Sequence, residues 1–158
     1  MGGIGLPGGA VYINDRLLRG RIWRSAVSLA GPAVSLLLAV LLAAPLWLGW
    51  LPSDAANPVS AAFAFLVLLQ VSCILLNLLP VPPLDGFRVL APWLPHAASQ
   101  GLLRYSGGAL LILFLAMWHI EPLNRAFWHA VLSVTDALGV ARPLIRAGFA
   151  AFRFWEPA

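Results

Sequence analysis

A carboxamide and a carboxylate flank a cluster of prolines in Asn77-Leu78-Leu79-Pro80-Val81-Pro82-Pro83-Leu84-Asp85-Gly86. This is the stretch of the chain best equipped for chemistry. Proline has no N–H, so Pro80, Pro82 and Pro83 release the carbonyls of Leu76, Leu78 and Leu79 from a helical ladder. Each residue before a proline is also pushed out of the α region. An apolar helix therefore breaks here and delivers Asp85 at membrane depth. There, loose backbone and charge are tolerated only against protein or a water-filled cavity. A central Asp costs about 2.5–3.5 kcal/mol on insertion scales. A carboxylate so placed can grip a cation or carry a proton. The plainer account is that Asp85 N-caps a short helix starting at Gly86, while Asn77 satisfies a freed carbonyl.

The elements that must hold this stretch are membrane helices. The chain is 61% hydrophobic and only 10% charged, with a mean hydropathy of +0.87, whereas soluble domains carry about 25% charged residues. The net charge of +4 comes from arginines in short juxtamembrane clusters. No nucleic-acid motif accompanies them, so nucleic-acid binding is excluded as a reading. The only cysteine, Cys73, lies in an apolar segment and reads as a buried packing residue. The N-terminus lacks the basic and apolar regions of a signal peptide.

Along the chain, Gly8 to Asp15 reads as a short β segment, and Arg16, Arg19, Arg21 and Arg24 approach a membrane. Uncharged spans follow at Ala26–Leu51, punctuated by Pro32 and Pro45, and at Val59–Leu84, each long enough to cross about 30 Å of hydrocarbon. Residues 86–106 read as a surface connection with one short helix. A third, shorter span, Gly107–Ile120, crosses only if extended back through Leu102. Phe127, Val131, Val134 and Leu138 recur at helical spacing, as in an interfacial amphipathic helix, and the aromatic, Arg-containing tail from Arg142 has an interface composition. The expected fold is an all-α membrane protein: about three transmembrane helices, a C-terminal amphipathic helix and a short N-terminal β segment. It forms a single membrane domain, 1–158. Arginine bias puts the N-terminal segment and the Asp85 end of the second span on the cytoplasmic side.

In Asn77, Pro80, Leu84, Asp85 and Gly86 the chain resembles the site-2 protease family of intramembrane zinc metalloproteases, whose signature is Asn-x-x-Pro-x-x-x-Leu-Asp-Gly. Ala30-Gly31-Pro32-Ala33-Val34-Ser35 is similar to the family's Gly-Pro-x-x-Asn segment, with Ser35 where Asn is usual. The β segment at Gly8 to Asp15 also matches the family layout. The resemblance covers residues 1–95, leaving 96–158 as a helical extension without an interpretable motif. It implies that Asp85 is a zinc ligand and that Asn77 positions substrate or steadies the oxyanion. The implied substrate is a transmembrane or membrane-proximal peptide, and the implied setting is a lipid bilayer, a prokaryotic inner membrane given the size. A catalytic zinc takes three protein ligands and a water.

The family's other two ligands and its base come from His-Glu-x-x-His, and this chain has no such motif. Its histidines, His96, His119 and His129, include no pair four apart. The expectation is a fragment or truncated relative whose His-Glu-x-x-His helix lies upstream of Met1, unable to hydrolyse peptides alone. Two other readings stand beside it: a non-catalytic relative that binds a transmembrane partner, and a small transporter component in which Asp85 handles a proton or cation.

Overall fold

The computed structural model describes residues 20–153 and Trp155. The β segment expected at Gly8 to Asp15 lies outside the described residues. Among those described there is no strand, and the all-α expectation holds. The helices are α1 (Arg21–Trp47), α2 (Pro58–Asn77), α3 (Asp85–Leu90), α4 (His96–Arg104), α5 (Ser106–His119), α6 (Glu121–Ala137) and α7 (Arg142–Phe152), with a 3-10 turn at Ala91–Trp93. Two of them, α1 and α2, are long and apolar enough to cross a membrane. A third crossing exists only if α4 and α5 count as one span.

That third span differs from the sequence expectation. The chain bends by 67° between Ala97–Arg104 and Ser106–His119, so the extension back through Leu102 does not continue the axis. Ser106-Gly107-Gly108 follows the bend, and these residues hold a helix poorly. Alone, the 14 residues of α5 reach about 21 Å at 1.5 Å per residue, short of the hydrocarbon thickness.

Pro32 and Pro45, expected as punctuation at the ends of the first span, both lie inside α1. The helix starts at Arg21, well before Pro32, and runs through it. Each proline removes one ladder bond, a loss that membrane helices tolerate when neighbours cover the freed backbone. Pro32 is buried.

The helix α2 is central: α1, α6 and α7 all pack on it. Its start is set by Asn57, whose Oδ1 accepts from the backbone N–H groups of Val59 and Ser60, both at 3.0 Å, with Pro58 in the first turn. Its core positions Ala64, Phe65, Val67, Leu68 and Val71 are buried with Ala43 of α1, Val131 of α6 and Leu144 and Ile145 of α7. Small residues bring the helices together, as expected where lipid supplies no hydrophobic drive between them. Ala39 and Ala43, one turn apart on α1, are fully buried. Gly148 of α7 sits so close to α2 that an added Cβ would lie 2.2 Å from the Ala61 carbonyl oxygen.

The periodic Phe127, Val131, Val134 and Leu138 do form the apolar stripe of α6, and the stripe faces the protein core. Within the tail from Arg142, residues Arg142–Phe152 form the helix α7, packed along α2. At the corner between α6 and α7 the Trp47 indole donates to the Leu138 carbonyl. Gly139 takes a positive φ of 69° there, which favours glycine. Cys73 is exposed and not buried as expected. A membrane helix is apolar on all sides, so an apolar neighbourhood in sequence does not put a residue inside.

Candidate functional site

The apolar run stops at Asn77, the last residue of α2. Between Leu78 and Leu84 the backbone turns repeatedly, and two of the freed carbonyls, those of Leu76 and Leu79, are taken up locally. Leu79 N–H donates to Leu76 at 3.1 Å and Val81 N–H to Leu79 at 2.8 Å, while Leu84 N–H closes a further turn on Val81 at 2.9 Å. The expected helix break is thus present, and backbone groups satisfy part of it. Asn77 does not: its carboxamide makes no hydrogen bond among the described residues.

The capping role considered for Asp85 is also set aside. Leu84 occupies the N-cap position of α3, no side-chain capping bond forms, and Asp85 is the first helical residue. A carboxylate in that first turn is still favoured by the helix dipole. Gly86 is ordinary helix with no positive φ. It is glycine because α3 folds back onto the end of α2. A Cβ there would lie 2.1 Å from the Leu78 carbonyl oxygen and 2.6 Å from that of Leu79. The fold-back sets the start of α3 beside the end of α2, so the backbones carrying Asn77 and Asp85 are brought to the same corner.

The other wall of the site is α1, on which α3 packs. An ideal Cβ on Gly31 would lie 3.2 Å from Asp85 Oδ2, with nothing else within 4 Å. The two sequence elements singled out earlier, Ala30 to Ser35 and Asn77 to Gly86, therefore meet at Gly31 and Asp85. Ser35, half-buried, shares the Gly31 face one turn on. Asp85 is half-buried and has neither a hydrogen bond nor an ion pair among the described residues. A carboxylate withdrawn from solvent without a partner is costly. Its place beside a glycine leaves room for a ligand to reach it.

Two side chains missed from sequence hold α3 in register. The Ser25 hydroxyl on α1 donates to the Val89 carbonyl at 2.7 Å, and the Trp93 indole donates to Ser25 Oγ at 3.1 Å. No sequence pattern marks a Ser–Trp pair so far apart.

The metal question turns on donors. Asp85 is a hard oxygen ligand with a free carboxylate, and it fits a zinc site as one member. Among the described residues no three His, Cys, Asp or Glu side chains come together. His119 and His129 are exposed on α5 and α6. The described residues do not make a zinc site by themselves.

Elsewhere charge is spent on the surface. Arg125 pairs with Glu121 at 2.9 Å and Arg142 with Asp136 at 2.6 Å, all four exposed. The Arg142 guanidinium hydrogen-bonded to Asp136 holds that carboxyl below its usual value and raises its own.

Comparison with known proteins supports the family resemblance. The chain is 42% identical over 99% of its length to a protein named "Putative zinc metalloprotease Rip2" of Mycolicibacterium smegmatis. It is 41% identical, over 99% of its length, to the protein of that name in Mycobacterium tuberculosis strain H37Rv. It spans 59% of the length of each of these curated relatives. The resemblance drawn from Asn77 to Gly86 is thus borne out by similarity to proteins named as zinc metalloproteases. No protein-family model matches the chain, and no solved structure does.

Proposed function

We propose, from this kinship with zinc metalloproteases, that the chain forms the Asp85-bearing part of an intramembrane zinc endopeptidase of the site-2 type. Asp85 is its one zinc ligand, and Asn77 holds the substrate backbone beside it. The observation that carries the reading is the half-buried Asp85 carboxylate, unpartnered among the described residues and directed at Gly31. The remaining ligands and the base would come from a His-Glu-x-x-His helix that this chain does not supply. The Asn77 carboxamide offers both donors and an acceptor to an extended peptide. The break at Pro80–Pro83 opens the way for water that hydrolysis needs and lipid does not supply. The substrate is a transmembrane or membrane-proximal peptide. The setting is a prokaryotic inner membrane, crossed by α1 and α2.

The test is zinc content in the longer protein that contains this chain, purified from membranes. One zinc per molecule, lost with Asp85→Ala and retained with Asp54→Ala, is expected. Retention of zinc by the Asp85→Ala protein would overturn the ligand assignment.

A second reading is supported by the same lone carboxylate among the described residues. In it the chain is a non-catalytic relative whose broken-helix corner holds a transmembrane partner. A longer protein that never binds zinc, yet retains a membrane partner through Asp85, would favour it.

A further inference from the structure

The helix that carries Asp85 packs on α1 and against the end of α2. It is only six residues long, one and a half turns, and Arg88 and Leu90 are exposed. Its apolar anchor is Phe87, 3% exposed. Burial of one ring resists lifting α3 off α1 but says little about sliding it along, because apolar contact is not directional. The carboxylate of a ligand needs the second kind of restraint, since a supporting shell that is about 1 Å too loose undoes a site.

The α1–α3 interface has two polar points, and they lie at its opposite ends. On α1, Ser25 and Gly31 are six residues apart, about 9 Å along the axis. On α3, Asp85 and Val89 are four residues apart, about 6 Å. Ser25 meets Val89 and Gly31 meets Asp85, so the helices run antiparallel with one register. At the Ser25 end a single hydroxyl does both jobs available to it. It donates to the Val89 carbonyl near the end of α3, and it accepts from the Trp93 indole just beyond it. That fixes the hydroxyl rotor and ties both α3 and the following turn to one atom of α1. At the Asp85 end no hydrogen bond exists among the described residues. The hydrogen bonds that tie α3 to α1 therefore lie at the far end of the interface, while beside Asp85 the helix is held by the close approach of Gly86 to the Leu78 and Leu79 backbone.

From this we infer that Ser25 and Trp93 are positioning residues, whose relay to Val89 fixes where along α1 the Asp85 carboxylate stands. The inference rests on the proposed metal role of Asp85 for its functional meaning but not for its geometry.

The experiment uses the membrane-inserted full chain with Cys73→Ala and Asp85→Cys, so that a single thiol reports the position of side chain 85. Its rate of reaction with a water-soluble maleimide is measured. Ser25→Ala and Trp93→Phe are expected to change that rate by about threefold to tenfold, the weight of one to two hydrogen bonds. Ser25→Thr, which keeps the hydroxyl, should restore the parent rate. Ser28→Ala should leave it unchanged, because the Ser28 hydroxyl bonds Arg24 within its own helix. An unchanged rate in Ser25→Ala, or a change that Ser25→Thr does not reverse, would overturn the inference. If the longer protein keeps its zinc after Asp85→Ala while labelling still follows Ser25, the ligand assignment falls and the positioning role stands.

Discussion

Gly31 on α1 and Asp85 at the start of α3 stand against each other, with Asp85 Oδ2 at 3.2 Å from where a Gly31 Cβ would be. That spacing is tight for an added atom, so Gly31→Ala would push the carboxylate aside by a few tenths of an ångström. The same change favours an α-helix by about 0.5–1 kcal/mol. The expected outcome is a protein that melts no earlier in detergent yet loses zinc from the longer protein containing this chain. Gly31→Val should lose more. Equal zinc content in all three would show that Asp85 is not held to its metal from this side.

Gly86 is a stability position of a different kind. Its added Cβ would meet backbone, 2.1 Å from the Leu78 carbonyl oxygen, and backbone cannot rotate away. Gly86→Ala should destabilise by about 1–3 kcal/mol, in the range of overpacking, and should open the Leu78–Leu84 segment to protease. An unchanged digestion pattern would argue against the fold-back of α3 onto α2.

Gly148 tests the far side of the bundle. Its Cβ would meet the Ala61 carbonyl oxygen at 2.2 Å and Phe65 Cβ at 2.7 Å. Gly148→Ala is expected to part α7 from α2 at a cost of about 1–3 kcal/mol. Thiol accessibility at an Ile145→Cys reporter, buried in the parent, should rise with it. Since Asp85 is far from α7 in the packing order, zinc retention should change less than for Gly31→Ala.

The corner between α6 and α7 predicts a weak acid dependence. The Asp136 carboxyl is held below its ordinary value of 3.8, first by its hydrogen bond to Arg142. A depressed carboxyl stabilises the fold fully above its unfolded value. That contribution is lost as the pH falls from about 3.8 through the lower folded value. Both groups are exposed, so the effect is small and screened by salt. Protection of the Leu138–Val140 amides, corrected for the intrinsic pH dependence of exchange, should fall below about pH 4, and Asp136→Asn should remove that fall.

Local chemistry made much of this protein readable before folding was considered. The two long spans, the helix break after Asn77 and the apolar stripe of α6 follow from charge-free runs, from proline's missing N–H and from helical spacing. Each is a property of neighbours in the chain. The likeness of Asn77–Gly86 to a zinc protease motif was readable for the same reason, and relatives named as zinc metalloproteases bear it out.

Contacts between distant residues were not readable that way. The stretch of α1 around Gly31 gives no local sign that Asp85 will face it, because a glycine in a helix carries no record of what fills the space beside it. Gly86 proved to be a close approach to the Leu78 and Leu79 backbone, which depends on where α2 ends in space. Ser25, just before the first apolar span, carries no sequence sign that Val89 and Trp93 will come to it. The 67° bend ahead of α5 and the docking of α7 on α2 likewise depend on which surfaces meet. Side chains on a membrane helix are apolar toward lipid and protein alike, so composition cannot say which side is covered. Packing alone settles it.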